Sequence, residues 1–189
     1  MSTVLRLAAQ SSTAVTDASL VQAGRRGEAW AQEELFRRHG RMAIGLAHRL
    51  VPNDPEVDDI VQDCFVSALR RLHKLENPQA FSSWLGSIVV HAVSNHLRRR
   101  RLLSRLGLIT PESVDLDAIA SPDAPAEVAV ELRRVYALLQ HLPVEQRVAL
   151  VLRRIDGMEI PQIALNMGLS SSTVKRRLKA AEEALERSR

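Results

Sequence analysis

Cysteine is almost absent from this chain of 189 residues, and its scarcity excludes several kinds of site. Cys64 is the only cysteine, so neither an intramolecular disulfide nor a cysteine-rich zinc site can form, as suits a reducing cytoplasm. Long apolar runs are missing as well. No stretch approaches the roughly 20 apolar residues of a membrane span, and Arg6 interrupts the N-terminal apolar stretch that a secretion signal would need. We therefore expect a cytoplasmic chain without membrane insertion.

Glycine and proline are also few, with 8 of each, and no alternating run of β-branched residues is long enough to predict a sheet. The composition predicts an all-α fold, and the length favours two small helical domains over one. Glycine-rich phosphate loops, G-x-S-x-G elbows and paired-cysteine motifs do not occur in the sequence. We therefore expect no enzymatic activity, no cofactor and no metal.

Charge is distributed unevenly, although the net charge is only +4. Residues 17–103 hold 13 basic and 10 acidic side chains, and residues 127–189 hold 11 basic and 8 acidic ones. Residues 104–126 between them hold 1 basic and 4 acidic side chains. The acidic stretch also contains three prolines and little apolar periodicity, which is typical of an extended linker. We predict a disordered tail over 1–16, a helical domain over 17–103, a flexible acidic linker over 104–126 and a second helical domain over 127–189.

Apolar periodicity predicts four helices in the first domain. The first runs from Asp17 to about His39, with Asp17 or Ser19 as its cap, and its inner side comprises Leu20, Ala23, Trp30, Leu35 and Phe36. The second covers about 42–50, because Pro52 follows it. The third starts near Pro55, and the fourth covers about 81–101 and ends in four consecutive arginines.

The third of these helices has an acidic outer face. Its apolar positions form one stripe and leave four polar residues outward: Asp58, Asp59, Gln62 and Asp63. Asp59 and Asp63 lie four apart and could hold a metal or share a proton. No histidine accompanies them at the spacing of helical-bundle metal motifs, and acidic groups in a first helical turn are favourable by themselves. A solvated helix start is therefore the simpler interpretation.

The stretch EIPQIALNMGLSSSTVKRRLKAAEEAL, residues 159–185, has the spacing of a DNA-reading helix-turn-helix. Its first helix packs through Ala164 and ends at Gly168, and the second begins in a serine run where Ser170 or Ser171 can cap it. One face of the second helix is apolar, and the other carries Ser172, Lys175, Arg176 and Lys179. Such a helix can enter the major groove and meet a phosphate with its first-turn amides. The alternative is an ordinary hairpin with a solvated basic face.

Two blocks of the chain together resemble the extracytoplasmic-function group of the sigma-70 family of bacterial RNA polymerase. DPEVDDIVQDCFVSAL and FSSWLGSIVVHAVSNHLRRRR resemble conserved region 2, with its acidic pair, D-x-x-Q step and arginine-ended W-L-x-x-I helix. The segment from HLPVEQR to TVKRRL resembles conserved region 4. The resemblance implies a non-enzymatic subunit that binds core RNA polymerase, recognises a two-part promoter and assists its opening. Members of the group are commonly held inactive by an anti-sigma factor.

The resemblance also implies roles for particular residues. Core-polymerase docking is assigned to Asp58, Asp59, Gln62 and Asp63. Binding of the upstream element, as double-stranded promoter DNA, is assigned to Ser170, Ser171, Ser172, Thr173, Lys175, Arg176 and Lys179. The downstream element is assigned to Asn77, Gln79, Trp84, His91, Asn95, Arg98, Arg99, Arg100 and Arg101. Among these, Asn77 and Gln79 read an unstacked base of the non-template single strand, and the arginines contact phosphates. Trp84 is either a stacking surface or, as its helical position favours, a core residue.

Some positions depart from the pattern of the group. His91 and Asn95 stand where asparagine and aspartate are usual, and Gln162 stands where glutamate often precedes I-A. These changes either alter the downstream sequence that is read or are neutral. The acidic linker has two interpretations as well: Asp115, Asp117 and Asp123 imitate an RNA backbone in the polymerase channel, or the linker is only a tether.

Two other functions are compatible with parts of the pattern. The first is a stand-alone helix-turn-helix regulator whose N-terminal domain dimerises or senses a ligand, and the second is a helical interaction protein without a DNA function. The acidic face and arginine run of the first domain disfavour the regulator, because a ligand pocket needs neither. The spacing around Ala164, Gly168 and Val174 disfavours the interaction protein. A palindromic footprint of the free protein on duplex DNA would indicate the regulator.

Overall fold

The computed structural model describes residues 15–52, 54–108 and 125–187, and the regular structure in these ranges is entirely helical. This confirms the all-α prediction. The helices are α1 (Asp17–Arg25), α2 (Ala29–Leu50), α3 (Val57–Arg70), α4 (Phe81–Arg105), α5 (Ala126–His141), α6 (Val144–Arg154), α7 (Ile160–Met167) and α8 (Ser171–Glu186). Two short 3-10 turns, Leu72–Lys74 and Pro78–Ala80, join α3 to α4. In the described part of the chain, no helix is both long and apolar enough to span a bilayer.

The predicted tail and linker fall largely outside the described residues, which exclude 1–14 and 109–124. The three aspartates proposed to imitate RNA are among those excluded. At the edges of the predicted linker, α4 continues to Arg105 and α5 begins at Ala126.

In the first domain, helices α1 to α4 pack around fully buried side chains that include Leu20, Leu35, Leu46, Phe81 and Leu85. Helix α1 packs on α2, and α3 packs on α4. Each helix contributes its apolar stripe, and burial of such a side chain stabilises the fold by roughly 1.5–3 kcal/mol. For α3 the sequence predicts a stripe of seven residues. Five of them are buried, namely Val57, Val61, Cys64, Phe65 and Ala68, and the other two, Ile60 and Leu69, are half-buried.

The predicted first helix is wrong in three respects. It is two helices, since α1 ends at Arg25, Gly27 takes φ +82°, and α2 starts at Ala29 and absorbs the predicted second helix. Its cap is Thr16, whose side chain accepts the Ser19 N–H at 3.2 Å. Trp30 and Phe36 are 54% and 48% exposed rather than inward. The other predicted inner residues, Leu20, Ala23 and Leu35, are buried as expected. After the break at Gly27, Ala31 joins Leu35 on the core side of α2 in place of the two aromatic residues.

In the second domain, α5 to α8 enclose a smaller core. Its most buried side chains are Leu139, Val148, Leu152, Ile163, Val174 and Ala181. Helix α8 packs against both α6 and α7. The sequence predicts an inward stripe of Val174, Leu178, Ala181 and Leu185 on α8. The first three are buried, and Leu185 is half-buried against the core.

The two domains pack directly against each other, and sequence analysis did not predict this. Helix α4 lies between them, with α2 and α3 on one side and α6 and α7 on the other. The buried apolar residues of the two domains consequently form one continuous cluster. The sequence predicts that α4 buries Trp84, Leu85, Ile88, Val89, Ala92 and Leu97. Packing against the second domain explains why Val90 and Ser94 are buried as well.

Candidate nucleic-acid interface

The turn between α7 and α8 has the geometry of a helix-turn-helix. Helix α7 ends at Gly168, which takes the left-handed values φ 63° and ψ 35°. A glycine adopts these angles at no steric cost, and the Leu169 N–H then reaches the Ala164 carbonyl at 2.9 Å. Ser170 is the N-cap of α8, because its hydroxyl accepts the Thr173 N–H at 3.2 Å. The local sequence therefore fixes both the end of α7 and the start of α8.

The outer face of α8 is exposed and basic. Ser171, Ser172, Lys175, Arg176 and Lys179 are all exposed, whereas Val174 is completely buried on the opposite side. Thr173 is half-buried and Ser170 is exposed, with a hydroxyl already engaged in capping. Lys179 lies 3.9 Å from Glu183, one turn along α8. The upstream-element residues assigned from the sequence thus lie together at the N-terminal half of one helix.

The acidic face of α3 is also exposed. Asp58, Asp59, Gln62 and Asp63 are all on the solvent side, opposite the buried stripe. Asp59 and Asp63 border an open cleft whose other wall includes Asn95 and Arg99 of α4. In the described part of the chain, no three His, Cys, Asp or Glu side chains converge as metal ligands would.

The residues assigned to the downstream element differ in their availability. Asn77 and Gln79 are exposed, but the Asn77 Oδ1 accepts the Gln79 N–H at 3.0 Å and so caps the second 3-10 turn. Trp84 is half-buried against the core, and its ring centroid is 6.2 Å from that of Phe81. This position agrees with the core interpretation of Trp84.

The four consecutive arginines do not share one environment. The Arg100 guanidinium donates to Asp54 at 2.5 Å, and the Arg101 guanidinium donates to the Leu142 carbonyl of the second domain at 3.4 Å. Arg98, Arg99 and Arg101 are exposed, although the Arg98 Nε donates to the Ser94 carbonyl at 3.2 Å, and Arg99 borders the acidic cleft of α3. Arg100 is half-buried and held by Asp54, so it is the least available of the four to a phosphate.

Asp54 organises a buried polar network that sequence analysis missed. Its carboxylate accepts hydrogen bonds from the His96 ring at 2.7 Å, from Arg100, and from the Glu56 N–H at 3.0 Å. Burial alone raises the pKa of Asp54, but these hydrogen bonds outweigh that effect and hold it below its ordinary value. His96 and Arg100 are 42 and 46 residues away in sequence, so no local pattern indicates the network.

His91 and Asn95 lie where the two domains meet. The His91 Nδ1 donates to the Ser87 carbonyl at 2.8 Å, and its Nε2 would be 3.1 Å from a Cβ placed on Gly168. His91, Asn95 and Arg98 border a cleft of about 310 Å³. Its opposite wall comprises Glu145, Met167, Leu169 and Arg177. Tertiary packing therefore brings the helix-turn-helix against the helix assigned to the downstream element.

Comparison with known proteins agrees with this arrangement of two domains. The family model for Sigma-70 region 2 matches residues 35–102, and that for Sigma-70, region 4 matches residues 132–185. The ECF RNA polymerase sigma factor SigM of Mycobacterium tuberculosis is 35% identical over 172 residues, covering 91% of this chain and 84% of SigM. The ECF RNA polymerase sigma-E factor of Escherichia coli K12 is 32% identical over 180 residues, covering 91% of this chain and 93% of that protein.

Two solved structures have folds similar to that of this chain. CnrH, solved in complex with the cytosolic domain of CnrY, has a TM-score of 0.59 and 28% identity, and the match covers 90% of this chain and 94% of CnrH. The sigma factor RpoE from Bartonella quintana, solved with the anti-sigma factor NepR, has a TM-score of 0.63 and covers 82% of this chain and 94% of RpoE. Its identity of 21% supports the fold alone.

Two helical domains, one of them a helix-turn-helix with an exposed basic recognition face, define a two-domain helical transcription factor. The chain belongs to the extracytoplasmic-function sigma factors of the sigma-70 family. It is therefore a non-enzymatic protein that directs promoter-specific transcription initiation by RNA polymerase.

Proposed function

We propose that this chain binds core RNA polymerase through the acidic face of α3 and reads two promoter elements with its two domains. The observation that carries the proposal is the separation of exposed charge: carboxylates on one face of α3 and cations on one face of α8. The acidic face of α3 suits a basic partner, and the basic face of α8 suits an acidic partner such as DNA. Polymerase docking and promoter binding are therefore assigned to different helices.

Docking on the polymerase is assigned to Asp59, Gln62 and Asp63, with Asp58 at the margin. These side chains are exposed at the N-terminal half of α3, so that a basic coiled coil of the largest polymerase subunit can approach them. Charges at the rim of an interface mainly steer association and suppress wrong partners. Asp58 is the weakest of the four, because it lies 3.7 Å from the His48 ring of its own domain.

Reading of the upstream element is assigned to the exposed face of α8 as it enters the major groove. Ser171 and Ser172 lie in its first turn, where free backbone N–H groups and the positive end of the helix dipole meet a phosphate. Lys175, Arg176 and Lys179 continue this face and reach base edges or phosphates.

Reading of the downstream element is assigned to the 3-10 turn at Pro78–Ala80 and to α4. Unstacking a base costs a few kcal/mol, which a binding site must recover through stacking or hydrogen bonds. Aromatic residues make up only 3% of the chain, and Trp84 is packed against the core. Hydrogen bonds from Gln79, His91 and Asn95 are therefore the main readout, and Arg98 and Arg99 bind phosphates.

We also propose a cytoplasmic location, where bacterial RNA polymerase acts, and control by an anti-sigma factor. Two similar structures were solved with a bound partner: RpoE with the anti-sigma factor NepR, and CnrH with the cytosolic domain of CnrY. A protein that covers the α3 face would compete with the polymerase for it.

Run-off transcription with purified core polymerase on a promoter library tests the proposal, because it requires docking, recognition and opening together. Sequence-selective transcripts are expected only when the chain is added, and they identify both promoter elements. The absence of transcripts, together with failure to co-purify with core polymerase, would contradict the proposal and favour a stand-alone regulator.

A further inference from the structure

The segment that joins α3 to α4, residues 72–80, is anchored at its start and exposed at its end. Leu72 and Leu75 are 1% and 4% exposed and belong to the core of the first domain. Asn77 and Gln79, which are assigned to the downstream element, follow them and are exposed. Burial of the two leucines therefore fixes the first half of the segment, and its second half is available to DNA.

Arg25, in the last turn of α1, binds the backbone of this segment. Its Nε donates to the Leu72 carbonyl at 3.0 Å, and its Nη2 donates to the Leu75 carbonyl. These carbonyls are 47 and 50 positions away in sequence, so no local pattern predicts the two bonds. A guanidinium is planar and its N–H groups point in fixed directions. One side chain that bridges two carbonyls consequently fixes their relative orientation.

The end of α1 is itself held firmly against the same segment. A Cβ added to Gly24 would lie 2.9 Å from the Leu72 side chain, so only glycine allows α1 to approach this closely. The Gln32 side-chain amide of α2 donates to the Gly24 carbonyl at 3.3 Å. Helix α1 also packs against both 3-10 turns of the segment. The Arg25 guanidinium therefore extends from a support that α2 and the segment hold together.

We propose that Arg25 is a positioning residue for promoter opening: its bonds to the Leu72 and Leu75 carbonyls keep residues 77–79 in the conformation that receives an unstacked base of the non-template strand. This inference rests on the proposed role of the segment in reading the downstream element. Arg25 acts through the segment, and contact between Arg25 and DNA is not part of the proposal.

The physical basis of this role is the order of the segment before DNA arrives. A segment that is already ordered loses little conformational entropy when it binds a base, so more of the binding free energy offsets the cost of unstacking. Without the Arg25 guanidinium, the two carbonyls lose their donors and the segment samples more conformations. The fraction that is competent to receive a base falls, and the apparent affinity for the base falls with it.

Arg26 provides a matched control, because it carries the same charge at the same end of α1. Its guanidinium pairs with Glu28 at 2.7 Å, and the Arg26 side chain is 64% exposed. Arg25→Ala removes the bonds to the segment, whereas Arg26→Ala removes an exposed ion pair close by in the chain. The acidic face of α3 and the basic face of α8 are unchanged in both variants.

The experiment measures the rate of promoter opening by core polymerase bound to the full-length wild-type chain, Arg25→Ala or Arg26→Ala. Permanganate reactivity of unpaired thymines reports opening on a promoter selected by run-off transcription. Three kinds of template are compared: the intact duplex, a duplex already unpaired by mismatches across the downstream element, and duplexes with an abasic site at each non-template position of that element in turn.

On the intact duplex, Arg25→Ala should open the promoter about tenfold more slowly than wild type, the factor expected for loss of one hydrogen bond to a charged group. For the template that is already unpaired, the readout is the yield of initiated transcripts. This yield should stay within about twofold of wild type, because capture of a base is no longer needed to separate the strands.

The abasic templates test the link between Arg25 and the captured base. One abasic position should slow opening by wild type about tenfold, because it removes the base that the segment receives. The same abasic site should change the rate of Arg25→Ala by less than about twofold, since both changes remove the same interaction. Arg26→Ala should match wild type on every template.

Two results would overturn the proposal. An equal loss of activity by Arg25→Ala on the intact and the unpaired template would indicate loss of folded or docked protein. An abasic effect of equal size in Arg25→Ala and wild type would show that the segment captures its base without Arg25.

The same measurements separate this inference from the proposed function. Absence of transcripts from wild type would reject the proposed function itself. Promoter-selective transcription by a wild type that is insensitive to every abasic position would reject base capture by the segment, and the role of Arg25 with it, and would leave the sigma-factor assignment intact.

Discussion

At the scale of single residues, burial and hydrogen bonding separate structural groups from functional ones. Asp54 and Asp59 are only five positions apart, yet Asp54 is buried among three donors and Asp59 is exposed. Arg100 and Arg99 differ in the same way, because Arg100 is paired with Asp54. Residue type alone does not distinguish the members of either pair.

Asp54→Asn should destabilise the chain by about 2–3 kcal/mol at neutral pH, because it removes the charge that pairs with Arg100 and His96. The pKa of Asp54 lies below its ordinary 3.8 in the folded chain. Its contribution is therefore complete above pH 3.8 and disappears as the pH falls through the folded value. Urea unfolding followed by circular dichroism at pH values of about 7, 5 and 3 should show the difference between variant and wild type shrinking at the lowest pH.

The matched control for this experiment is Asp58→Asn, since the Asp58 side chain is 78% exposed. We expect the free energy of unfolding of this variant to stay within about 0.5 kcal/mol of wild type. An Asp54→Asn variant as stable as Asp58→Asn at neutral pH would show that the buried network contributes nothing to folding.

Cys64 should be almost inert towards thiol reagents in the folded chain. Burial, and to a smaller extent Asp63, raises the pKa of its thiol to about 11. At a pH of about 8 we expect Ellman's reagent to react about a hundredfold more slowly with the native chain than with the chain in urea. Comparable rates in the two conditions would mean that the α3–α4 interface opens frequently.

At the scale of helices, the face that each helix exposes determines its proposed partner. Helices α3 and α8 each bury an apolar stripe and expose a charged one, but the charges are of opposite sign. Helix α4 differs from both, since it is packed on two sides. Its sequence accordingly shows a wider band of apolar residues than a surface helix needs.

Replacing Lys175, Arg176 and Lys179 by alanine should abolish selection of the upstream element while polymerase binding persists. Cations that neutralise DNA phosphates make binding weaker as the salt concentration rises. The plot of log affinity against log salt concentration should therefore become shallower by about one unit of slope for each phosphate interaction that the substitutions remove. The matched control removes three exposed arginines elsewhere in the second domain: Arg134, Arg154 and Arg187. Promoter selectivity retained by the α8 variant would contradict the placement of the recognition face.

Charge reversal on α3 should weaken association with core polymerase. Asp59→Lys together with Asp63→Lys places cations where the proposed partner is basic, so we expect an affinity loss of at least about tenfold. Glu33→Lys together with Glu76→Lys provides the same change in net charge at exposed sites of the same domain. Equal affinity of both double variants for core polymerase would reject the docking face.

At the scale of the whole molecule, packing between the domains joins their two cores. One apolar cluster includes residues of both domains, and the ion pair between Arg49 and Asp156, together with hydrogen bonds, joins α2 to the second domain. The two domains are therefore packed together in the described part of the chain, although the sequence predicts two domains joined by a linker.

Unfolding should follow this coupling. Both tryptophans, Trp30 and Trp84, belong to the first domain, so their fluorescence reports that domain, whereas far-ultraviolet circular dichroism reports helices in both. The two urea-unfolding curves of wild type should coincide. In Arg49→Ala the curves should separate, because the domains then unfold independently. Separate curves in wild type would show that the domains are not energetically coupled.

The sequence by itself determined the helical class, the acidic face of α3 and the helix-turn-helix. These features depend on local periodicity and on single residues such as Gly168 and Ser170, whose conformational preferences act within one or two helical turns. Local periodicity failed at Gly27, because this left-handed residue ends α1 and starts a new helix in which Trp30 and Phe36 are exposed.

Only the tertiary structure decided which arginine pairs with Asp54, which carboxylate lies beside Arg98 and how the second domain packs on α4. These pairings join residues that are far apart in the chain, such as Arg49 and Asp156, which are separated by 107 positions. They depend on the packing of whole helices, and a side chain that looks solvated in the sequence becomes a partner once another helix buries it.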